Sequence, residues 1–248
     1  PLWSYDMGTC DYGNCPIAIS ADGEYIAVGS NNDKVYLFDK DSSTPLWSYD
    51  LGHNVLAVDI SADGEYIAAG THNDKVFLFN KAGTQLWSST FSNDVEDVAV
   101  SADGEYVAVA NTWNNRVYLY NTDSNTQLRS YATGDKVTSV SISGDGEYIV
   151  VGSNDDKVYL FDKDSNTPLW SYTAGGNVVS VAISTDGEYI TAGSGPSSND
   201  KVYLFDKDSS TPLWSYTTGN SVYSVSISAD GEYITAGFTL DRVGTVAG

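Results

Sequence analysis

A chain of 248 residues with 41% hydrophobic and 18% charged positions holds enough apolar matter for one large globular unit or two small ones. Twelve Lys and Arg stand against thirty-three Asp and Glu, and a net charge of −21 repels phosphate backbones, so nucleic acid is not an expected partner. No run of eighteen apolar residues occurs, which excludes a membrane-spanning helix, and no membrane insertion is expected.

The chain opens at Pro1 inside a Leu-Trp-Ser-Tyr motif (residues 2–5) with no starting Met or signal peptide, and reads as a mature product or a piece of a longer, multidomain protein. Cys10 and Cys15 follow, close together and the only cysteines. A local disulfide in an oxidising compartment is expected of them, free thiols being the alternative. With the acidity, this points to an extracellular or cell-surface protein.

Asp-Gly-Glu-Tyr then recurs six times, at Asp22, Asp63, Asp103, Asp145, Asp186 and Asp230, with spacings of 41, 40, 42, 41 and 44. A period near forty marks an array of similar units. Residues 32–49 (NDKVYLFDKDSSTPLWSY) return letter for letter at 199–216. Each unit predicts four strands, a to d. In the second, strand a spans residues 55–61, and Asp63-Gly64 turns the chain into strand b at Tyr66, because Gly accepts positive φ without steric cost. In the first, strand c spans residues 34–39 with both faces apolar, as a strand covered on two sides requires. Residues 41–45 turn into strand d at 46–49.

Strands a and b are rich in Ser, Ala, Val and Gly, whereas c and d hold nearly all the Tyr, Phe and Trp. Sheets fanned about an axis approach closely at the centre and diverge outward, so this gradient predicts a propeller. The expected fold is all-β, a six-bladed β-propeller with four antiparallel strands per blade. The blades fall at residues 15–50, 55–90, 95–132, 137–173, 178–217 and 222–248. Residues 1–6 supply the outer strand of the last blade and close the ring, removing two exposed edges. In residues 242–248 the usual aromatics give way to Gly244, Thr245 and Ala247, so that strand is expected to be frayed or truncated.

The pattern Ser-x-Asp-Gly-x-Tyr-(Ile/Val)-(Ala/Val)-x-Gly-Ser followed by Lys-Val-Tyr-Leu-Phe-Asp resembles the WD40 and YVTN-type propeller repeats. The c to d stretch is equally similar to the quinoprotein (PQQ-like) propeller repeat. The resemblance covers almost the whole chain and implies fold rather than function. Where WD40 repeats carry Trp-Asp, this chain has Phe38-Asp39, Phe161-Asp162 and Phe205-Asp206, and no repeated Gly-His is present. The quinoproteins' adjacent cysteine pair is also missing, so their quinone is not carried over and no cofactor is expected.

Turns a–b and c–d share one propeller face and are monotonous. The d–a and b–c connections share the other and hold nearly every irregularity: the cysteine insertion, His53, His72, Trp113 with Asn114, and the insertion at 195–198 with Pro196 and Ser197. Binding residues sit on loops of rigid scaffolds, so this face is the expected interaction surface, with neutral loop drift as the alternative. Trp113 reads as a contact for a protein or a glycan, or as packing against a neighbouring loop. Nothing in the spacing of His53, His72 and the cysteines forces a metal site. The Asp-x-Asp-Ser turns at Asp39, Asp162 and Asp206 offer oxygens at alternate positions, but lack the Gly and distal Glu of a calcium loop. They read as Asx and Ser/Thr turns, with weak calcium binding allowed. Lys34, Lys75, Arg116, Lys157, Lys201 and Arg242 open strand c beside Asp or Asn, a local charge balance.

No catalytic arrangement emerges, since the two His sit in loops without a nucleophile elbow. The leading expectation is a non-enzymatic binding module. A glycosidase or lyase with acids near the axial pocket, and a plain structural spacer, are the alternatives.

Overall fold

Short apolar runs separated by Asp-Gly and Asp-Ser turns are realised as twenty-two β-strands in a computed structural model that describes residues 2–7, 15–195 and 200–238. The first blade comprises β1 (Ile17–Ile19), β2 (Tyr25–Gly29), β3 (Lys34–Asp39) and β4 (Trp47–Asp50). The second holds β5 (Val55–Ile60), β6 (Tyr66–Thr71), β7 (Lys75–Asn80) and β8 (Gln85–Thr90), the third β9 (Val95–Val100), β10 (Tyr106–Asn111), β11 (Arg116–Asn121) and β12 (Ser124–Ala132). Blade four is β13 (Val137–Ile142), β14 (Tyr148–Ser153), β15 (Lys157–Asp162) and β16 (Pro168–Thr173); blade five is β17 (Val178–Ile183), β18 (Tyr189–Ser194), β19 (Lys201–Asp206) and β20 (Trp214–Thr217). β21 (Val222–Ile227) and β22 (Ile234–Phe238) form a two-stranded sixth sheet. Within each sheet consecutive strands pair antiparallel. The sheets stand in the radial array of a β-propeller.

The Ser-x-Asp-Gly-Glu-Tyr motif is a closed hydrogen-bond device. Ser20 Oγ donates to Asp22 Oδ1 (2.6 Å), which also accepts the Glu24 N–H, while Ser20 Oγ accepts the Tyr25 N–H. The same bonds recur in the other five units, for example at Ser61 and Asp63 and at Ser228 and Asp230. Gly64 takes a φ of 72°, and a Cβ there would lie 2.6 Å from the ring of Tyr25. Each such Gly from the second unit to the sixth thus receives the motif Tyr of the blade before it, which joins neighbouring blades at this face. In the b–c turns Asp33, Asp74, Asn115 and Asp156 are left-handed, a conformation Asp and Asn tolerate. Their carbonyls accept N–H groups of Leu51, Phe91, Thr133 and Ala174 from the d–a connection.

Large rings fill the widening gaps further out. Phe38, Phe79, Phe161 and Phe205 are fully buried. The outer-strand indoles of Trp47, Trp87 and Trp170 lie against Phe79, Tyr120 and Phe205 of the next blade and donate to the Lys81, Thr122 and Lys207 carbonyls. Lys40, Lys81, Lys163 and Lys207 pair with Glu24, Glu65, Glu147 and Glu188 across the a–b and c–d turns. The lysine ion pairs among the described residues therefore use these four, not the cations that open strand c.

Residues 2–7 dock where the outer strand of a unit preceding blade one would lie. Trp3 stacks on Phe38 at 5.6 Å, Tyr5 meets the same ring edge-on, and Trp3 Nε1 donates to the Lys40 carbonyl at 2.6 Å, repeating the other junctions. They form no ladder among the described residues, and residues 242–248, the expected strand c of blade six, lie outside these. Among the described residues the expected closed ring of six four-stranded blades is seen as five such blades and a two-stranded sixth sheet, with no strand pairing that closes it. Ile17 is 68% exposed where its equivalent Val58 is 9%, Tyr233 is 71% exposed, and no atom comes within 4 Å of a Cβ at Gly23. Closure depends on the rotation accumulated over successive junctions, which no local sequence pattern encodes.

Replacing Trp3 by Ala should lower the unfolding free energy by about 1–3 kcal/mol, since a half-buried indole, its stacking and one hydrogen bond are lost. Denaturant unfolding of Trp3→Ala against Leu2→Ala, whose side chain is 98% exposed, checks it. Equal midpoints would mean that residues 2–7 contribute nothing to the first blade.

Candidate functional site

On the variable face each b–c turn of the first five blades is tied to a d–a connection by backbone bonds, such as His72 N–H to the Asn54 carbonyl (3.0 Å) and Asn154 N–H to the Lys136 carbonyl (2.9 Å). Substitutions in one loop are therefore felt in its neighbour. In blade three, Asn111 stands where the first, second, fourth and fifth units have Ser or Thr, and its side-chain amide donates to the Asn93 and Asp94 carbonyls at 2.6 and 3.2 Å. That anchors the connection between blades two and three. Asn114 and Ser92 bond reciprocally (2.9 and 3.2 Å).

Trp113 projects from this anchored loop and is 59% exposed. Lys136 Nζ, from the connection into blade four, lies 3.2 Å from the centre of its ring, a cation–π contact. One ring face is thereby covered by a neighbouring loop while most of the indole remains open. His72 Nδ1 lies 3.6 Å from Asp94 Oδ1, and Thr112 Oγ1 lies 3.4 Å from Glu96 Oε2. A continuous rim of ring, cation, amide and carboxylate groups thus runs from blade two to blade four. His53 is exposed on the connection before β5, and no hydrogen bond or ion pair joins it to His72 among the described residues. Pro196, Ser197 and Cys10 lie outside the described residues, so the disulfide expectation and the insertion at 195–198 rest on positions not described.

Lys136 belongs to this cluster and escaped the sequence reading. Its equivalents are Asn54, Asp94, Asn177 and Ser221, so alignment of the units alone would have exposed it. The Asp-x-Asp-Ser carboxylates are taken up in their own turns: Asp39, Asp162 and Asp206 each accept the N–H two residues on. Among the described residues no three His, Cys, Asp or Glu side chains converge as metal ligands.

At the axis, a cavity of about 200 Å³ is lined by Ile19, Asp59, Val100, Ile142 and Ile183 from five inner strands. Asp59 Oδ2 accepts the Val100 N–H (2.7 Å), and one blade on Asp97 Oδ2 accepts the Val140 N–H (2.9 Å). Between later blades Ser139 and Ser180 do the same work towards Val181 and Val225. Burial raises Asp59 to about 6 and Asp97 to about 7, the backbone donors opposing it without prevailing. The two acids share one kind of environment, whereas acid–base chemistry needs two environments that push a pair apart. Their geometry is that of inter-blade acceptors.

A sequence profile described as Family of unknown function (DUF5711) matches residues 69–203, more than half of the chain. The chain belongs to DUF5711. A second profile, described as WD domain, G-beta repeat, matches residues 43–80, and this DUF5711 member is a WD40-like repeat protein. No curated protein matches it. Of the solved structures similar to it, one is a chain from the crystal structure of the mitotic checkpoint complex. It superposes with a TM-score of 0.81 at 18% sequence identity, over 95% of this chain and 73% of that one. At such identity the likeness carries the fold alone.

Proposed function

We propose that this chain is a non-enzymatic binding module of an exported or cell-surface protein, which presents its d–a and b–c loop face to a protein or glycan partner. One observation carries the reading. Trp113 is held up from a loop anchored by Asn111, with Lys136 against one ring face and the Ser92–Asn114 pair beside it, where three adjoining units break the repeat together. An exposed indole with convergent polar groups suits a sugar face or a partner's apolar side chain. Everything repeated faithfully is committed to turns and packing, which leaves the broken loops for recognition. The net charge of −21 and the close spacing of Cys10 and Cys15 support export with a disulfide between them.

A glycan array probed with the native chain, followed by titration of each hit with Trp113→Ala, tests the site. Loss of a hot-spot indole should weaken binding by about thirtyfold or more. Unchanged affinity would move the site off this rim. Intact mass after alkylation, with and without reductant, checks the disulfide.

A further inference from the structure

Blade three also departs from the repeat on its outer edge. Trp3, Trp47, Trp87, Trp170 and Trp214 mark one outer-strand position, and in β12 that position is Arg129. The carbonyl an indole would reach, that of Lys163, is met instead by the Tyr131 hydroxyl at 3.3 Å. Arg129 is thus released from the packing role, and a hollow of about 280 Å³ among Leu119, Asn121, Lys163 and Asp164 is left where the indole would lie. Arg116, at the start of β11, stands where four of the units carry Lys.

The two arginines line a groove of about 450 Å³ with Gln127, Leu128, Ser130 and Asn166. Arg116 Nη1 donates to Ser130 Oγ at 2.9 Å and Arg129 Nη1 to the Leu128 carbonyl at 3.1 Å. Neither is in an ion pair among the described residues, and Arg129 Nε is buried without a partner among them. Asp164, which feels the charge of Arg129, is engaged by Lys163 at 2.7 Å. In a chain of net charge −21, two arginines without a carboxylate partner in one groove are left for an acceptor from outside. β12, at nine residues, is the longest strand among the described residues, and it ends its sheet, so its outer backbone edge is left for pairing.

We propose that this edge binds an extended segment of a partner protein by strand addition, with an acidic side chain of that segment seated between Arg116 and Arg129. Main-chain bonds along β12 give affinity and the arginine pair gives specificity. Long-range repulsion from the rest of the surface selects a single carboxylate in an otherwise neutral segment over a polyanion.

The test titrates labelled Val/Thr-rich peptides carrying one central Glu, or Gln in its place, against the native chain, Arg116→Lys and Arg129→Trp. The last restores the residue of the other units, so it should fold. The Glu peptide should bind the native chain and lose about tenfold or more in affinity on Glu→Gln or Arg129→Trp, the loss of one charge-assisted contact. Equal binding of the Glu and Gln peptides, no binding of either, or undiminished binding to Arg129→Trp would overturn the proposal. Free acetate that competes as well as the peptide would remove the strand-addition part.

Discussion

Phe161→Ala should lower the unfolding free energy by about 3–5 kcal/mol, at the upper end of the range for a buried aromatic ring. Phe161 is fully buried in the core shared by blades three and four, 4.5 Å from the ring of Tyr131 and 5.9 Å from that of Tyr159. At the corresponding junctions Trp47 covers Phe79 and Trp170 covers Phe205, so truncation there leaves an indole to collapse inward. At Phe161 the covering position is Arg129, and the hollow beside it already lacks an indole. The space created by truncation therefore has no indole beside it to collapse inward, and cavity volume is what separates costly truncations from mild ones. Phe161→Ala should exceed Phe205→Ala by about 1 kcal/mol or more in denaturant unfolding. A repeat array weakened at one junction can also lose cooperativity, so a reduced denaturant slope at unchanged fluorescence amplitude would show the blades parting there. Equal midpoints for the two variants would show that Arg129 covers Phe161 as well as an indole does.

Much of this architecture is written locally. Strand c of the first unit, expected at residues 34–39, is Lys34–Asp39, and strand a of the second, expected at 55–61, is Val55–Ile60. The strand limits were legible because each is bounded by turn residues whose side chains close the turn. What spans two blades was not. The fit of the Tyr25 ring onto Gly64 joins residues thirty-nine positions apart, and each residue read singly has an adequate local reason to be there. Asp59 and Asp97 appear in sequence as ordinary polar positions on a strand, and only the fan of sheets turns them inward against the N–H groups of Val100 and Val140. Trp113 stood out because it interrupts a repeat. Lys136 and Arg129 interrupt it equally but pass unnoticed as common surface residues, and in each case the contact or the missing contact comes from a neighbouring blade. Closure of the ring was the least legible feature. Six Asp-Gly-Glu-Tyr copies count units, while the approach of Tyr233 to Gly23 depends on the geometry of all the junctions between them.

The double substitution Asp59→Asn with Asp97→Asn should stabilise the chain at pH 8 and leave it nearly unchanged at pH 4. In the unfolded chain both acids titrate near 3.8, whereas burial raises them to about 6 and about 7 in the fold. The folded state thus holds these protons to higher pH than the unfolded state does. Their contribution is fully favourable below about pH 4 and is lost as pH rises through about 6 to 7. For Asp97 alone the difference would correspond to about 4 kcal/mol in a dry interior. Both side chains keep some solvent access, and water screens the charge, so the combined gain from asparagine is expected at about 2–3 kcal/mol. Asparagine keeps an oxygen for the Val100 and Val140 N–H groups, so the inter-blade bonds survive the change. Asp22, Asp164 and Asp230 act in the opposite sense. Hydrogen bonds from Ser20, Lys163 and Ser228 hold them below the ordinary value, and their stabilisation fades only on acidification, equally in both proteins. Asp123→Asn, at an exposed turn, carries the general benefit of removing negative charge from this acidic surface. Thermal unfolding from pH 4 to pH 8 should show the gap between the double variant and Asp123→Asn widening across that interval. A constant gap would mean that both carboxylates are ionised throughout, with enough water in the axial channel to solvate two charges side by side.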